Sequence, residues 1–356
     1  MNRGKLGTMP RATERDDESY LAFVEGARVF ASALDPQLRE AAGAAITRYQ
    51  RQTGRLPQTV DDAKRALDPV PIIASRNRIM RTTQEMMWRG VIDTYAKRKD
   101  ELLAELEAAE RSPIGSVEWD PNFQYPDYFA KVEFHIQPGS YYADPLAGYI
   151  YHYGTKIFFL GQNDRDDIQT RFVNRVPAPA DGVVNRVLDV ACSIGQSTTA
   201  LKQRFVQAEV WGIDAAAPMV RYAHKRAVEM GLPVHFRQAL AERLPFPDEY
   251  FDIVFSYILF HELPREVMPQ VLAEMRRVTR PGGIVAIVDF QTLGPALPPL
   301  VAYFFDFSRR YNGEPYAADF ITLDFLAMMR EAGLRNVREI ATGEGFAGLP
   351  LRVGEK

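Results

Sequence analysis

Residues 186–199, with the sequence RVLDVACSIGQSTT, constrain the fold of this chain more than any other stretch. They begin with residues 187–190, which read as a short buried run, continue through small residues, and place residues 197–199 in the first turn of a helix. This order predicts a strand, a tight turn and a helix, which together open an α/β sheet. The free N–H groups and the positive dipole end of such a helix face the carboxyl edge of the sheet, where open α/β folds bind their ligands.

The residues of the turn indicate which ligand to expect. A dinucleotide fingerprint needs glycines where the chain has Ala191, Ser193 and Gln196, which disfavours NAD and FAD. The phosphate-binding pattern G-x-x-x-x-G-K-[ST] is absent as well. Asp189 ends the first strand, and Asp214 ends a second short apolar run. A carboxylate at the second strand tip is placed to accept two ribose hydroxyls, which leaves the first strand to handle a charged amino-acid moiety.

Four further segments follow in order: residues 213–219 (IDAAAPM), 241–248 (AERLPFPD), 251–256 (FDIVFS) and 276–283 (RRVTRPGG). With residues 186–199, they make about half of the chain resemble the class I S-adenosylmethionine (SAM)-dependent methyltransferases. Within that family the resemblance is to the ubiquinone/menaquinone C-methyltransferase-like group. It implies SAM as the cofactor and S-adenosylhomocysteine as the product.

The fold class expected is α/β, with a doubly wound, mostly parallel, seven-stranded Rossmann-like sheet. The alternation of strand and helix patterns predicts a parallel sheet, and the resemblance implies that the last strand is antiparallel. The predicted strands are 187–190, 209–213, 233–238, 251–256, 284–289, 336–341 and one near 346–353. The predicted helices of this core are 196–205, 217–230, 265–279 and 322–332.

The resemblance also implies a set of cofactor-binding residues. They are Asp189, Ala191, Cys192, Ser193, Gly195, Asp214, Ala215, Met219, Ala241, Glu242 and Ser256. Two departures from the family pattern affect this set. Ala191 and Ser193 stand where glycines are usual, so positive φ is costly there. Leu240 stands where an Asp often holds the adenine amino group, so we expect the backbone of Ala241 and apolar packing to replace that contact.

Composition narrows the class of partner. The 356 residues are enough for two domains, and a net charge of -3 gives no basic excess to attract nucleic acid. The single cysteine, Cys192, excludes an internal disulfide and fits a reducing compartment, so a cytoplasmic location is expected. We expect no membrane span and no signal peptide. We also expect no metal site, because the histidines lack ligand spacing.

The chain divides into four predicted regions. Residues 1–19 read as a disordered tail, 20–111 as a helical N-terminal region, 112–180 as an aromatic-rich linker and lid, and 181–356 as the SAM-binding core with an insertion at 291–320. In the helical region a helix starts at Asp35-Pro36, another at 59–62, and a long one spans 76–110. This region either covers the substrate pocket or pairs with a second copy of the chain as a homodimer.

Tyrosine and histidine are concentrated just before the core. Residues 132–142 alternate like a strand with a turn at Pro138-Gly139, and a helix is predicted over 145–159. This segment is either an aromatic core or a lid against the methyl-donor edge of the pocket. The insertion at 291–320 is either a second wall of the substrate site or packing of an inserted helix. The candidate substrate contacts are His135, Tyr141, Tyr142, Tyr151, Tyr257 and Tyr303.

Methyl transfer from a sulfonium is an in-line displacement, so the protein supplies positioning, desolvation and, for some acceptors, a base. His261 follows the fourth strand and is the first candidate for that base, with Glu262 orienting it or acting alone. The alternative is that His261 only caps the next helix or packs under the cofactor. Tyr142 and His152 are further catalytic candidates, with His135 of similar rank. His224 and His235 read as structural.

The sequence therefore predicts a methyltransferase that acts on a small-molecule metabolite, with the acceptor atom open among carbon, oxygen, nitrogen and sulfur. Two alternatives remain. One is a SAM-binding enzyme of the same fold that carries out non-methyl chemistry. The other is a non-catalytic partner or regulatory protein that has kept the fold.

Overall fold

The computed structural model describes residues 5–295, 297–342 and 349–356. Its strands are β1 (Lys5–Leu6), β2 (Met9–Pro10), β3 (Ser116–Glu118), β4 (Arg186–Val190), β5 (Glu209–Asp214), β6 (His235–Gln238), β7 (Phe251–Tyr257), β8 (Thr279–Val288), β9 (Arg335–Ile340) and β10 (Leu351–Glu355). Within the described ranges, β1 and β2 form a small hairpin, and the other eight strands form one sheet in the order β3-β6-β5-β4-β7-β8-β10-β9.

The helices before the sheet's central strands are α1 (Arg15–Ala33), α2 (Asp35–Thr53), α3 (Val60–Leu67), α4 (Pro71–Ala96), α5 (Lys99–Glu110), α6 (Asp127–Ala130), α7 (Ala147–Phe158) and α8 (Asp167–Val173). Those that follow are α9 (Gln196–Arg204), α10 (Ala217–Glu229), α11 (Met268–Val278), α12 (Pro299–Tyr311), α13 (Ala317–Ile321) and α14 (Phe325–Glu331). Two short 3-10 helices span Phe134–Ile136 and Phe260–Glu262.

The sheet is covered on both faces, as its near-continuous apolar strands require. Val187 and Leu188 of β4 have no exposed surface, although they point to opposite sides of the sheet. Val187 packs with Leu201 of α9 and Val220 of α10, whereas Leu188 packs with Leu272 of α11. A cavity lies between the carboxyl ends of β4 and β5 and residues 132–159, which we call the lid segment, and this arrangement positions the site.

The predicted α/β fold is confirmed, and the sheet has one more strand than the seven expected. The additional strand, β3, pairs in parallel with β6, and Ser116 lies opposite His235 in that register. A Cβ on Gly115 would lie 2.0 Å from the carbonyl oxygen of Val234, so this approach needs a glycine. β10 runs antiparallel to both β8 and β9, as expected. Residues 346–348 of its predicted range lie outside the described residues.

The strand predicted within residues 132–142 is wrong. The segment instead contains a 3-10 helix and turns, and His135, Ile136 and Ser140 have φ values of 53°, 55° and 54°. Such left-handed backbone cannot continue an extended strand. Alternating apolar residues therefore reflect packing around a compact turn here.

Residues 5–19, expected to be part of a disordered tail, are ordered in the structure. Met9 and Ala12 are 2% and 1% exposed. The hydroxyl of Tyr95 donates to the carbonyl of Pro10 at 2.7 Å, and Nε of Arg226 donates to Oγ1 of Thr8 at 2.8 Å. The segment is thus held by long-range contacts that its polar composition does not signal. Residues 1–4 lie outside the described residues.

The helical region packs against the lid and the core. The long helix predicted over 76–110 is two helices, α4 and α5, separated at Lys97 and Arg98. Trp88 and Val91 of α4 share a buried cluster with Tyr149 of α7 and Tyr222 of α10. The side chain of Trp88 also reaches the cavity described below. In the part of the chain that the structure describes, no helix is both long and apolar enough to cross a membrane.

Candidate active site

The turn after β4 is held in a left-handed conformation at three positions. Ala191, Ser193 and Gly195 have φ values of 58°, 49° and 74°. A Cβ on Gly195 would lie 2.9 Å from the Cβ of Ala223, so close packing of the turn on α10 requires the glycine. The N–H of Ser193 donates to Oδ2 of Asp214 at 2.9 Å and links the tips of β4 and β5. The turn therefore forms despite two residues that disfavour its geometry.

Asp189 lies beneath this turn and is fully buried. Its Oδ2 accepts hydrogen bonds from the hydroxyls of Ser197 and Thr198, both at 2.6 Å. Its other oxygen, Oδ1, has no partner within the described residues. Burial raises the pKa of Asp189 to about 7, although the two hydroxyls oppose that shift.

Asp214 closes the other side of the crevice. Its two oxygens accept the N–H groups of Ser193 and Ala216, each at 2.9 Å. Burial raises the pKa of Asp214 to about 6, in spite of these hydrogen bonds, and the charge of Glu262 acts in the same direction. A carboxylate oxygen accepts more than one hydrogen bond, so each oxygen still has capacity for a ribose hydroxyl.

A cavity of about 290 Å³ extends from this turn to the lid. The predicted cofactor residues that line it are Ala191, Cys192, Ser193, Asp214, Ala215, Met219, Ala241 and Glu242. The predicted substrate and catalytic residues that line it are His135, Tyr141, Tyr151, Tyr257, His261 and Glu262. One continuous space thus joins the two predicted sets, which come from separate segments of the chain.

Six predicted site residues do not line this cavity: Asp189, Gly195, Ser256, Tyr142, His152 and Tyr303. Asp189 and Gly195 instead hold the turn after β4, as described above. The hydroxyl of Tyr142 donates to the carbonyl of Ala130 at 3.0 Å, outside the cavity wall. His152 is buried against the hydroxyl of Tyr222, with Nδ1 at 2.9 Å from it, and burial lowers its pKa to about 3. The hydroxyl of Tyr303 donates to Asp68 at 2.9 Å in the cluster around α3. Ser256 is fully buried within β7.

His261 forms a buried pair with Asp289. The imidazole Nδ1 lies 2.8 Å from Oδ1 of the carboxylate, and the two side chains are 1% and 0% exposed. The N–H groups of Phe260 and Phe290 also donate to this carboxylate, at 2.8 and 2.7 Å. Burial opposes the charged imidazolium, but the adjoining carboxylate outweighs it and raises the pKa of His261 to about 9. His261 is therefore a strong base that is protonated at neutral pH.

A second group of charged side chains lines the same cavity. It consists of His135, Glu262 and Glu314, and we call it the acidic cluster. Nε2 of His135 lies 3.1 Å from Oε1 of Glu262, and Nδ1 lies 2.6 Å from Oε1 of Glu314. The hydroxyl of Tyr141 donates to the same oxygen of Glu262 at 3.1 Å. Burial alone lowers the pKa of His135, yet the charges of Glu314 and Glu262 raise it well above its usual value.

Sequence reasoning missed several residues of the site, including Trp88, Asp289 and Glu314. Trp88 comes from a region separated by about a hundred residues in sequence from the core, and Glu314 comes from the insertion. Asp289 follows β8 directly, so a search for carboxylates at strand ends would have found it. For Glu314 the surrounding aromatic residues of the insertion were the only available signal.

The cavity offers groups that fit a nucleoside joined to a cationic sulfur. Asp214 is available for ribose hydroxyls, and Met219 and Leu240 give apolar surface for a base. Glu242 accepts a hydrogen bond from the hydroxyl of Tyr128 at 2.6 Å, while its Oε2 is buried without a partner among the described residues. An unpaired buried oxygen is costly, and a ligand donor would satisfy it.

Comparisons with known proteins agree with this geometry. A family model described as a methyltransferase domain matches residues 187–283. The ubiquinone/menaquinone biosynthesis C-methyltransferase UbiE of Burkholderia mallei (strain SAVP1) is 30% identical over 186 residues, which are 48% of this chain and 75% of that protein. The chain belongs to the class I SAM-dependent methyltransferases.

Solved structures also resemble this methyltransferase, among them the following two. The YcgJ protein of Bacillus subtilis shares 25% identity, with 49% of this chain and 70% of that chain covered and a TM-score of 0.40. The SAM-dependent methyltransferase SibL, solved in its apo form, shares 17% identity, with 91% and 99% covered and a TM-score of 0.48.

SAM is the cofactor of this methyltransferase, and when bound it supplies an activated methyl group on a positively charged sulfur. The chain's own contribution is to bind and orient. Asp214 and Leu240 both line the cavity, where Asp214 would hold the ribose and Leu240 would offer apolar surface to the base. Burial raises the pKa of Tyr141, Tyr151 and Tyr257 above the usual phenol value, so these hydroxyls stay protonated. The Tyr141 hydroxyl donates to Glu262, whereas the Tyr257 hydroxyl is buried without a partner among the described residues.

Proposed function

We propose that this methyltransferase transfers the methyl group of SAM to a small molecule held at the aromatic end of the cavity. The observation that carries the proposal is the single cavity that joins the tips of β4 and β5 to the lid. Its far wall is built from aromatic side chains of the helical region and lid, among them Trp88, Phe134, Tyr141 and Phe158. A mostly apolar cavity of this volume suits a small acceptor better than a polymer.

The proposed roles of the site residues follow from their positions around the cavity. Asp214 and the turn after β4 orient the nucleoside, and the aromatic lid excludes water from the reacting end. His261, held by Asp289 through Nδ1, is proposed to take a proton from the acceptor at Nε2 when it is unprotonated. Because its pKa is about 9, this role becomes more important as the pH rises.

The experiment that tests the proposal has two stages. Calorimetry with SAM and S-adenosylhomocysteine first measures binding to the wild-type chain and to Asp214→Ala, with the exposed Asp127→Asn as a control. A screen of small metabolites then measures release of S-adenosylhomocysteine. SAM binding without release for any acceptor would favour non-methyl chemistry, and the absence of SAM binding would favour a non-catalytic role.

Two further expectations remain proposals. We propose a cytoplasmic location, supported by the single, buried Cys192. We also propose that two copies pair through α1, where Phe23 and Phe30 are 65% and 60% exposed and lie two helical turns apart on one face. Light scattering of the wild-type chain and of Phe23→Ser with Phe30→Ser tests this pairing, and a monomeric wild type would refute it.

A further inference from the structure

Hydrogen bonds from several elements hold the acidic cluster in the cavity wall. The carbonyl oxygen of His135 accepts hydrogen bonds from Nε1 of Trp88 at 2.8 Å and from Nε2 of Gln84 at 2.7 Å. The N–H of His135 donates to the carbonyl of Gly313 at 3.3 Å. A Cβ on Gly313 would lie 2.3 Å from the carbonyl oxygen of Glu133, so the insertion can approach the lid this closely only with glycine there. These contacts bring Glu314 against His135.

The charges of the cluster do not balance. His135 is protonated between its two carboxylates, which leaves one net negative charge on the group. Oε2 of Glu314 is buried and has no hydrogen-bond partner among the described residues. His261 cannot supply the missing positive charge, because Asp289 already neutralises it. The cluster can therefore accept a hydrogen bond from one more cationic group, which would also balance its charge.

The other residues that line the cavity add to this negative charge. Of the described residues that line it, none is lysine or arginine, whereas Asp214 and Glu242 add two more carboxyl groups. Aromatic rings surround the cluster: the ring of Phe158 lies 5.5 Å from that of His135, and the ring of Tyr141 lies 6.4 Å from it. Carboxylates combined with aromatic faces are the groups that bind organic ammonium ions in proteins.

We propose that the acidic cluster binds the ammonium group of an amine acceptor, with Oε2 of Glu314 accepting one of its N–H donors. This inference rests on the proposed methyl transfer to a small molecule. It concerns how the acceptor is anchored and holds whichever atom receives the methyl group. A neutral acceptor leaves the buried charge uncompensated, and an acceptor with a carboxylate or phosphate at this end is repelled.

Three probes of matched size test the inference: tyramine, 4-ethylphenol and 3-(4-hydroxyphenyl)propionate. They carry an ammonium group, no charge and a carboxylate on similar phenol bodies. The full chain is first titrated with S-adenosylhomocysteine, and each probe is then titrated into the saturated protein by calorimetry. We expect tyramine to bind at least about tenfold more tightly than 4-ethylphenol, and the propionate to bind more weakly than both.

A conservative variant tests whether the Glu314 carboxylate causes the preference for tyramine. Glu314→Gln keeps the shape of the side chain but removes its charge, so it should reduce the preference for tyramine about tenfold. Glu85→Gln, at an exposed position of α4 outside the cavity, should leave the preference unchanged. Both variants should still bind S-adenosylhomocysteine, which shows that they are folded.

The outcomes separate this inference from the proposed function. Equal binding of the three probes, binding of none, or an unchanged preference in Glu314→Gln would overturn the ammonium site while methyl transfer stands. Failure of the wild-type chain to bind S-adenosylhomocysteine would overturn the proposed function and the inference with it.

Discussion

Nδ1 of His261 lies 2.8 Å from Oδ1 of Asp289, and this buried ion pair borders the cavity beside the predicted methyl-transfer site. The sequence made His261 the first candidate for a base because imidazole usually titrates near neutral pH. The structure changes that expectation, since the carboxylate raises the pKa of His261 to about 9. The pair therefore affects both the chemistry of the site and the stability of the fold, and both effects can be measured.

NMR should show directly that His261 titrates near pH 9. Asp289→Asn removes the charge that favours the imidazolium while burial continues to oppose it, so the pKa of His261 should fall below its usual value. Asp248→Asn, at an exposed position on the surface, should leave the titration unchanged. A wild-type His261 that titrates below pH 7 would contradict the ion pair.

The same pair should make stability depend on pH. The pKa of His261 is raised on folding from about 6.5, so its contribution is fully present below pH 6.5 and is lost as the pH rises through about 9. Relative to the variant with both His261→Gln and Asp289→Asn, the wild type should lose about 3 kcal/mol of unfolding free energy over this window. Urea unfolding at several pH values measures the difference, and parallel curves would refute it.

The turn after β4 should become more stable when glycine replaces alanine. Ala191 has a φ of 58°, which costs an L-residue about 1 kcal/mol, so Ala191→Gly should stabilise the fold by up to about that amount. Gly195→Ala should destabilise it, because its φ is 74° and the new Cβ would lie 2.9 Å from Ala223. Thermal unfolding of the two variants tests the pair, and destabilisation by Ala191→Gly would be the contradictory result.

Two adjacent tyrosines offer a matched comparison. Tyr141→Phe removes the hydrogen bond to Glu262 inside the cavity and should lower turnover with an acceptor found in the release screen, with little change in SAM affinity. Tyr142→Phe removes a hydrogen bond to the Ala130 carbonyl outside it. That change should cost about 1 kcal/mol of stability and leave turnover intact. The reverse pattern would place the acceptor elsewhere.

The core of the fold was predictable because its signals are local. Each buried strand such as 187–190 is a short, mostly apolar run, and the carboxylates at the strand tips follow directly from that assignment. The lid was not predictable in the same way, because the backbone of His135 is set by Trp88, Gln84 and Gly313, which are distant in sequence. Alternation of apolar residues suggested a strand there, and long-range hydrogen bonds selected a turn instead.

The candidate site, too, was predictable only where its residues belong to a local sequence pattern. Asp214 belongs to a recognisable segment, and its position at the cavity follows from the order of the strands. Glu314 lies in an insertion without a motif, so only the folded chain reveals that it meets His135. Tyr142 and Tyr303 share the residue type and neighbourhood of true lining residues, yet their hydroxyls point to partners outside the cavity.

A crystal structure of the chain with S-adenosylhomocysteine tests the central claim most directly. We predict the ribose hydroxyls on the Asp214 carboxylate, the amino-acid portion at the turn formed by residues 191–195, and the sulfur directed toward the aromatic end of the cavity beside His261. A ligand bound elsewhere, or a cavity that stays filled by the chain's own side chains at saturating ligand, would contradict it.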